Sequence, residues 1–554
     1  MYADIVPVLV IGGGPVGLVL SIELAWRGVP SMLVNTGQST APHPQGNTHN
    51  SRTMEHYRRL GLADRIRALG PPPDDATDVA CYTRLSRDEL SRIPMPSSAE
   101  KMRRVAERDA TFPTPEPIHR ASQFYVEPVL LDHAETMPEI DLNYGWRLIE
   151  FEQQADAVVS AIENVTSGET RTVRSRWLVG CDGAQGHVRR ALGIPYRGEG
   201  GDEVAFMIGR MLSVYIDAPE IYDVMTGPRA WQYWTVNDDA RACFVALDGK
   251  GKFAVLTKHP DGDEPAHTDI AAEIQAAIGA KIDVDVISVK QWTAGNALVA
   301  ERYRDGNAFL AGDSAHLFTP TGGFGMNTGI DDAVNLGWKL AAAHQGWASE
   351  GLLDSYESER RPIGIRNTEA SRTLASNVAT ISIPEGLEDP TTAGAQERAT
   401  LGAHLSGFTE EFASLGIQLG MRYDDSPLIV GDGSKAPPDS PVDYVPSACP
   451  GGRAPHIWLG DGASLFDKCA TWFTLFKFSA TDTDTAPLVA AAAARNVPLE
   501  IVEIPDAAAH ELYERRLVLV RPDGHVAWRG DAIPGDVEAL IRQVAGCTDG
   551  SAIS

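Results

Sequence analysis

The opening segment, IVPVLVIGGGPVGLVLSIELAWRG, limits the fold more than any other stretch of the chain. Residues 5–11 form an apolar, β-branched run of strand length, and 18–27 suit a helix that stops near Gly28. Between them Gly12-Gly13-Gly14-Pro15-Val16-Gly17 matches GxGxxG, and a second apolar strand follows over 31–34. Gly12 permits a tight turn, Gly14 lets a pyrophosphate approach the backbone beside Pro15 and Val16, and Gly17 lets helix pack on strand. A chain that begins this way is expected to be α/β, with a Rossmann-like parallel sheet and a dinucleotide at the helix N-terminus.

The same residues imitate an export signal, but the side-chain charge ahead of the run is Asp4, where such a signal wants lysine or arginine. Three glycines and Pro15 also break the middle of any spanning helix. The six cysteines (Cys81, Cys181, Cys243, Cys449, Cys469, Cys547) lie far apart without CxxC spacing, which fits free thiols in a reducing cytosol. A cytoplasmic protein is therefore expected. A formal charge of −27 argues against nucleic acid or an anionic membrane as partner, because both need clustered Lys and Arg. No HExxH or clustered His/Cys spacing points to a metal.

A second stretch, AFLAGDSAHLFTPTGGFGMNTGID over 308–331, carries the candidate chemistry. Residues 308–311 suit a buried strand, and Gly312-Asp313 places a carboxylate at its carboxyl edge, where open α/β sheets bind ligands. A loop with Pro320, Gly322, Gly323 and Gly325 then opens a helix running from Met326 to about Ala343. Free N–H groups and the positive dipole end at such a helix start suit an anion or an electron-rich ring edge. Three further features fall at comparable places: WLVGCDG ending in Asp182-Gly183 ahead of Arg189 and Arg190, Ser122-Gln123 before a helix over 127–136, and a polar loop over 44–50 leading to Arg52. One position departs from the dinucleotide rule. The second strand should end in Asp or Glu to grip a ribose diol, and Asn35 stands there, a neutral and weaker partner.

Taken together, GxGxxG, Asp182-Gly183 and Gly312-Asp313 resemble the single-component (class A) FAD-dependent aromatic hydroxylases, whose archetype is p-hydroxybenzoate hydroxylase. The runs NSRTMEHYRRLGL, SQFYVEPVLLDHA, GDSAHLFTPTGGFGMNTGIDDAVNLGWKL and LLDSYESERRP are similar to the phenol and 2,4-dichlorophenol monooxygenase branch, as are GGRAPHIWL and LVLVRPDGHVAWRGD near the end. The resemblance implies a Rossmann-like FAD-binding domain over 1–190 and 291–370, an inserted antiparallel-sheet substrate domain over 191–290, a helical segment and linker over 371–450, a thioredoxin-like domain over 451–547 and a tail over 548–554.

It also implies roles. Gly12, Gly14 and Gly17 would seat the FAD pyrophosphate, with Asn35 at the adenosine ribose. The loop over 45–52, including Asn50 and Arg52, would flank the flavin, and Gln123 would touch the ribityl chain or phosphates. Asp313, following Gly312, would bond the ribityl chain, and Gly323, Gly325, Met326 and Asn327 would meet the flavin pyrimidine. Asp182-Gly183 is tied in the family to FAD and to transient NADPH or NADH, with Gly186 replacing a frequent Ser; Pro320 lies where a backbone carbonyl sits beside the substrate and the reactive flavin carbon. The implied activity is NAD(P)H-dependent hydroxylation of a phenolic ring with O2 through a flavin C4a-hydroperoxide. The same fold also suits epoxidation, dehalogenating or ring-modifying oxygenation of a polycyclic natural product.

Strand-like runs over 211–216, 230–236, 241–247 and 253–258 carry aromatic residues, and Tyr215, Trp234 and Phe244 are the expected substrate contacts. Aromatic residues in strands commonly serve a core, so both roles stay open for each. Asn47 and His49 could steer or deprotonate a phenol, although lone loop histidines are more often surface residues. The loops over 39–50 and 318–325, rich in Pro, Gly, Ser, Thr and Asn, are expected to border the flavin ring and let it move. In the terminal domain no CxxC pair exists, so a structural or dimer-related role is expected there, and a homodimer with it.

Overall fold

The computed structural model describes residues 5–199, 209–258, 267–412, 414–478 and 483–547. The tail assigned to 548–554 lies outside these, as do 200–208 and 259–266 of the expected sheet domain. Five helices frame the site: α1 (Pro15–Trp26), α2 (Ser51–Arg59), α3 (Gln123–Glu135), α4 (Gly325–His344) and α5 (Glu350–Ala379).

The first sheet runs in the order Arg304–Asp305, Ala308–Leu310, Thr170–Gly180, Val6–Ile11, Ser31–Asn35, Ile140–Tyr144, with Trp146–Gln153 and Val158–Asn164 as a hairpin off the side. Five of these are parallel neighbours: Ala308–Leu310, Thr170–Gly180, Val6–Ile11, Ser31–Asn35 and Ile140–Tyr144. Val6–Ile11 is buried throughout, with α1, α3 and α4 packed together beside the sheet, hence its unbroken apolar run. The chain crosses from one side of this strand to the other between its two neighbours. Their carboxyl ends therefore leave a crevice at the switch point.

The second sheet has seven strands in the order Asp285–Ala294, Gly209–Asp217, Lys252–Lys258, Ala242–Ala246, Gln232–Thr235, Val79–Tyr82, Glu89–Ile93. The last two come from the first segment of the chain, so the boundary drawn at 191 leaves out part of the sheet. Val79–Tyr82 is short and apolar and pairs parallel to Gln232–Thr235, a long-range pairing that local pattern cannot announce. One face packs Leu212, Val214, Tyr233, Phe244 and Phe253 against the helix His267–Ile278. The other turns Tyr215, Trp231, Trp234 and Val245 toward the end of α5 and toward Leu401 and Leu405.

The terminal domain is a four-stranded sheet ordered Leu499–Glu503, Phe473–Lys477, Leu517–Val520, Val526–Gly530, with helices Ala486–Ala494 and Val537–Val544 packed together. It shares a core with α4, where Trp338 meets Phe473 edge-on at 6.0 Å. Burying side chains of this size stabilises by about 2–3 kcal/mol each.

The interface is also ionic. Glu359 on α5 accepts from Lys339 at 2.6 Å, from Asn335 at 2.8 Å and from both terminal nitrogens of Arg521. Burial alone would raise its pKa, but Arg521 and Lys339 outweigh that and hold it well below the usual carboxylate range. Losing one partner of such a buried pair costs about 3–5 kcal/mol, because the other charge is stranded.

Candidate cofactor and substrate site

Four motifs stand at the carboxyl ends of four of the five parallel strands, all at one edge of the first sheet. Gly12 has φ +114°, and a Cβ there would lie 2.2 Å from the Cys181 carbonyl oxygen, so the turn passes directly under the end of Thr170–Gly180. A Cβ on Gly17 would lie 1.9 Å from the Gly12 carbonyl oxygen, which is the close helix–strand packing expected of the third glycine. Gly14 faces open space, and Leu18 is the first residue of α1 to bond back to it. A bare helix start with room before it fits a pyrophosphate.

Asn35 is engaged. Its Oδ1 accepts from the Gly13 N–H at 3.0 Å, while the Tyr144 hydroxyl donates to the Gly13 carbonyl at 3.0 Å. The amide thus fixes the glycine turn from beneath. Asp182 also has local work: one oxygen accepts from Val188 N–H at 3.1 Å and the other from the Ser314 hydroxyl at 2.9 Å. The motif pins the turn through Gly183 (φ +80°) to the segment that carries Asp313.

Asp313 has an exposed side chain, yet desolvation raises its pKa, with His316 and Lys290 acting the other way. Protein on several sides thins the hydration of the carboxylate while leaving it in contact with solvent. Behind it stands a support that sequence reasoning missed. Asp332 accepts from Gly312 N–H at 3.1 Å, from His316 at 2.6 Å and from Arg360 at 2.7 Å, all fully buried. Tyr196 adds a bond from its hydroxyl to the Asp313 carbonyl at 2.5 Å. The sequence signal is the pair Asp331-Asp332 in a helix whose other ionisable residues are Lys339 and His344.

The glycine loop follows, with Gly322 at φ +77° and Gly323 at φ +66°. Pro320 is exposed at its start. Within α4 the first N–H bonded back is that of Thr328, to Phe324. The backbone donors of Gly325, Met326 and Asn327 thus precede the helical ladder, as helix starts require. The Asn327 side chain is a clasp: Oδ1 accepts from Asn50 N–H at 2.9 Å, and Nδ2 donates to the Thr48 and Gly323 carbonyls at 3.0 and 2.7 Å.

The loop over 39–50 is held at several points, against the expectation of a loose element. Ala41 N–H donates to Glu127 at 2.9 Å, His43 lies between the hydroxyls of Ser288 and Ser213 at 2.7 and 2.9 Å, and Gln123 N–H donates to Gly46 at 2.6 Å. The Gln123 side chain is turned to Glu127 at 2.5 Å. His49 is no surface residue: it is fully buried, pairs backbone to backbone with His119, and burial lowers its pKa to about 4. Asn47 keeps a buried Oδ1 without a hydrogen-bond partner. Arg52 does not face this cleft. It is buried against Glu55 and the Asp523 carbonyl, because α2 turns its second residue toward the terminal domain.

Of the three expected aromatic contacts, strand alternation separates one from two. Tyr215 and Trp234 share the face turned toward the first domain, where Tyr215 meets Phe124 of α3 at 5.8 Å. Phe244 points the other way, fully buried edge-on to Phe253, and belongs to the core under the helix His267–Ile278. A separate surface cleft of about 610 Å3, lined by Arg302, Arg304, Asp354, Glu357 and Arg361, lies outside the glycine turns and is occupied by ion pairs such as Arg304–Asp354 at 2.6 Å. Among the described residues no group of three His, Cys, Asp or Glu is placed to hold a metal, and no helix is long and apolar enough to cross a membrane.

Comparison with known proteins agrees with this geometry. The FAD binding domain family matches residues 5–371, and the aromatic-ring hydroxylase C-terminal family matches 447–547. The FAD-dependent monooxygenase apdD of Emericella nidulans is 34% identical over 97% of this chain and 90% of its own length. The 2,4-dichlorophenol 6-monooxygenase of Cupriavidus pinatubonensis is 29% identical over 97% of this chain and 96% of its own. The solved structure of RebC, soaked with chromopyrrolic acid and holding 7-carboxy-K252c, superimposes with a TM-score of 0.88 at 36% identity, covering 99% of this chain and 100% of that one. The chain belongs to the class A FAD-dependent aromatic-ring hydroxylases, with the p-hydroxybenzoate hydroxylase-like fold and a thioredoxin-like terminal domain. Its cofactor is FAD, and it is a flavoprotein monooxygenase.

Proposed function

We propose that the chain hydroxylates a phenolic ring, taking electrons from NADPH or NADH and one oxygen atom from O2. The observation that carries this reading is shared placement: the bare starts of α1 and α4 and the Asp313 carboxylate meet where Gly329 packs on Val16 and Gly312, and the face of the second sheet that holds Tyr215 and Trp234 touches α3 of the same domain through Phe124. FAD, when bound, supplies the electron transfer and oxygen chemistry, so the chain has to bind, orient and shield it.

Gly12, Gly14, Pro15, Val16 and Gly17 would hold the pyrophosphate, Asn35 would meet the adenosine ribose beside its bond to Gly13, and Asn50 and Gln123 would border the flavin and its ribityl chain. Asp313 would accept from a ribityl hydroxyl. Backbone N–H groups of Gly323, Gly325, Met326 and Asn327 would face the pyrimidine edge, where donors aimed at developing negative charge are worth about 2–4 kcal/mol in a dry site. Pro320 offers its carbonyl beside the substrate. Asn47 Oδ1, buried and lacking a donor, is available to a phenol O–H; His49 is sealed behind it and stays neutral at pH 7, which makes it a wall. Asp182-Gly183 and Arg189 form the face for transient NAD(P)H.

Stopped-flow reduction with each pyridine nucleotide against a panel of phenols tests this reading. A true substrate is expected to accelerate flavin reduction at least tenfold, about 1.4 kcal/mol of barrier. Equal reduction with and without every aromatic compound tried would overturn it. A second reading, oxygenation of a polycyclic natural product, is favoured by the 36% identity to RebC, a rebeccamycin biosynthetic enzyme. Mass spectrometry of products from one-ring and multi-ring phenols separates the two.

A further inference from the structure

We propose that the terminal domain is a working part of the flavin site, with Arg52 as the positioning residue through which it acts. The inference rests on the assignment of the glycine loop to the flavin.

Asn50 caps α2, accepting from Thr53 N–H at 2.8 Å, and its own N–H enters the Asn327 clasp at 2.9 Å. That clasp ties the start of α2 to the start of α4 and to Gly323. Two residues beyond Asn50, the Arg52 guanidinium points the opposite way and donates to the Asp523 carbonyl in the turn joining Leu517–Val520 to Val526–Gly530. Its other terminal nitrogen donates to Glu55 at 3.1 Å, and Glu55 is held in turn by Arg453 of the terminal domain at 2.5 Å.

The turn has little freedom of its own. Arg521 donates to the Asp523 carboxylate at 2.6 Å, as do Asn335 at 3.1 Å and Trp338 at 3.3 Å, both from the middle of α4. One turn of the terminal domain therefore grips α2 at its second residue and α4 halfway along. The participants are almost fully buried: Arg52 4%, Arg453 2%, Arg521 2%, Asp523 4% and Asn335 1% exposed. A buried guanidinium cannot trade a lost acceptor for water, so α2 must follow the turn if the turn shifts. The cap and clasp on α2 carry that position to the glycine loop. A domain without a CxxC pair thus keeps a part in cofactor binding that needs no redox chemistry.

FAD titration of the full-length apoprotein, read by fluorescence quenching and by the visible flavin spectrum, tests this. Arg52→Lys keeps the charge but lacks the fork that reaches both acceptors. It is expected to raise the FAD Kd at least tenfold and shift the flavin bands. Gly524→Ala is a second and gentler variant from the other domain: its Cβ would lie 3.4 Å from the Arg52 guanidinium at φ +80°, and at least a threefold rise is expected. Ser349→Ala removes a different contact between the same domains, to the Gly546 carbonyl, and should lower Tm while leaving Kd and spectrum unchanged.

Parental Kd and spectrum in both Arg52→Lys and Gly524→Ala, with weak binding in Asp313→Ala, would overturn the inference and leave the site assignment standing. An equal rise in Kd for Ser349→Ala would reduce the effect to general loosening and also overturn it. Parental binding in Asp313→Ala would overturn the site assignment and, with it, the route from Arg52 to the flavin.

Discussion

Asn35 illustrates what one residue can and cannot reveal in a sequence. Its place at the end of the second strand was legible from the glycine spacing, but its bond to Gly13 depends on a turn that only the folded chain defines. Asn35→Asp keeps an oxygen for Gly13 and adds a charged one for the ribose, and charge-assisted bonds are roughly twice as strong as neutral ones. The variant is expected to retain FAD longer during dialysis, measured as the fraction bound after a fixed time; faster loss would show that the Nδ2 donor it removes, which reaches the Gly37 carbonyl at 3.4 Å, mattered more. His49 and Arg52 were legible as polar residues on a candidate loop. Their burial was not, because it comes from His119 and from Asp523, remote in sequence.

At the scale of elements, strand ends and helix starts were read to within a few residues, since each was marked by glycine, proline or a capping serine. Sheet composition was less accessible. Val79–Tyr82 and Glu89–Ile93 are ordinary short strands whose membership is decided by a parallel partner far along the chain. Phe244 fell on the wrong face because alternation gives two faces without saying which meets the cofactor. The packing of α4 on α1 offers a test. A Cβ on Gly329 would lie 2.7 Å from Val16 Cγ2 and 2.9 Å from Gly312 Cα, and backbone cannot step aside as a flexible side chain can. Gly329→Ala is therefore expected to wedge α4 away from both glycine turns and to weaken FAD binding at least tenfold in equilibrium titration. A parental Kd would mean that the helix starts are set independently of this contact.

For the whole molecule, acid is the informative variable. Burial lowers the pKa of His49 to about 4 and of His119 to about 3, both from 6.5. Below pH 6.5 the unfolded chain binds protons that these neutral, buried rings refuse until about pH 4, so stability falls as pH drops through that window and is level above it. For His49 the cost at the lower end is on the order of 3 kcal/mol. Glu55 and Asp331 act at a different pH. Burial opposes their charge, but Arg453 and His56 respectively hold both below the usual range, so the stability they contribute is present above about pH 4 and lost only as pH falls further. Urea midpoints are expected to drop between pH 7.5 and 5, and a flat profile would show the two rings to be protonated in the fold.

The reach of Arg52 to Asp523 also bears on how the protein is made. A ribosome delivers α2 long before the turn that receives its guanidinium, with most of the chain still to be synthesised. Until that turn emerges, Arg52 and the Trp338 face of α4 lack their last partners, and the nascent first domain holds an apolar, charged surface open to the wrong neighbours. Maturation to the tightly binding form would then be a late event that waits for the Asp523 turn to leave the ribosome. Chains released before that turn should be prey for chaperones and proteases.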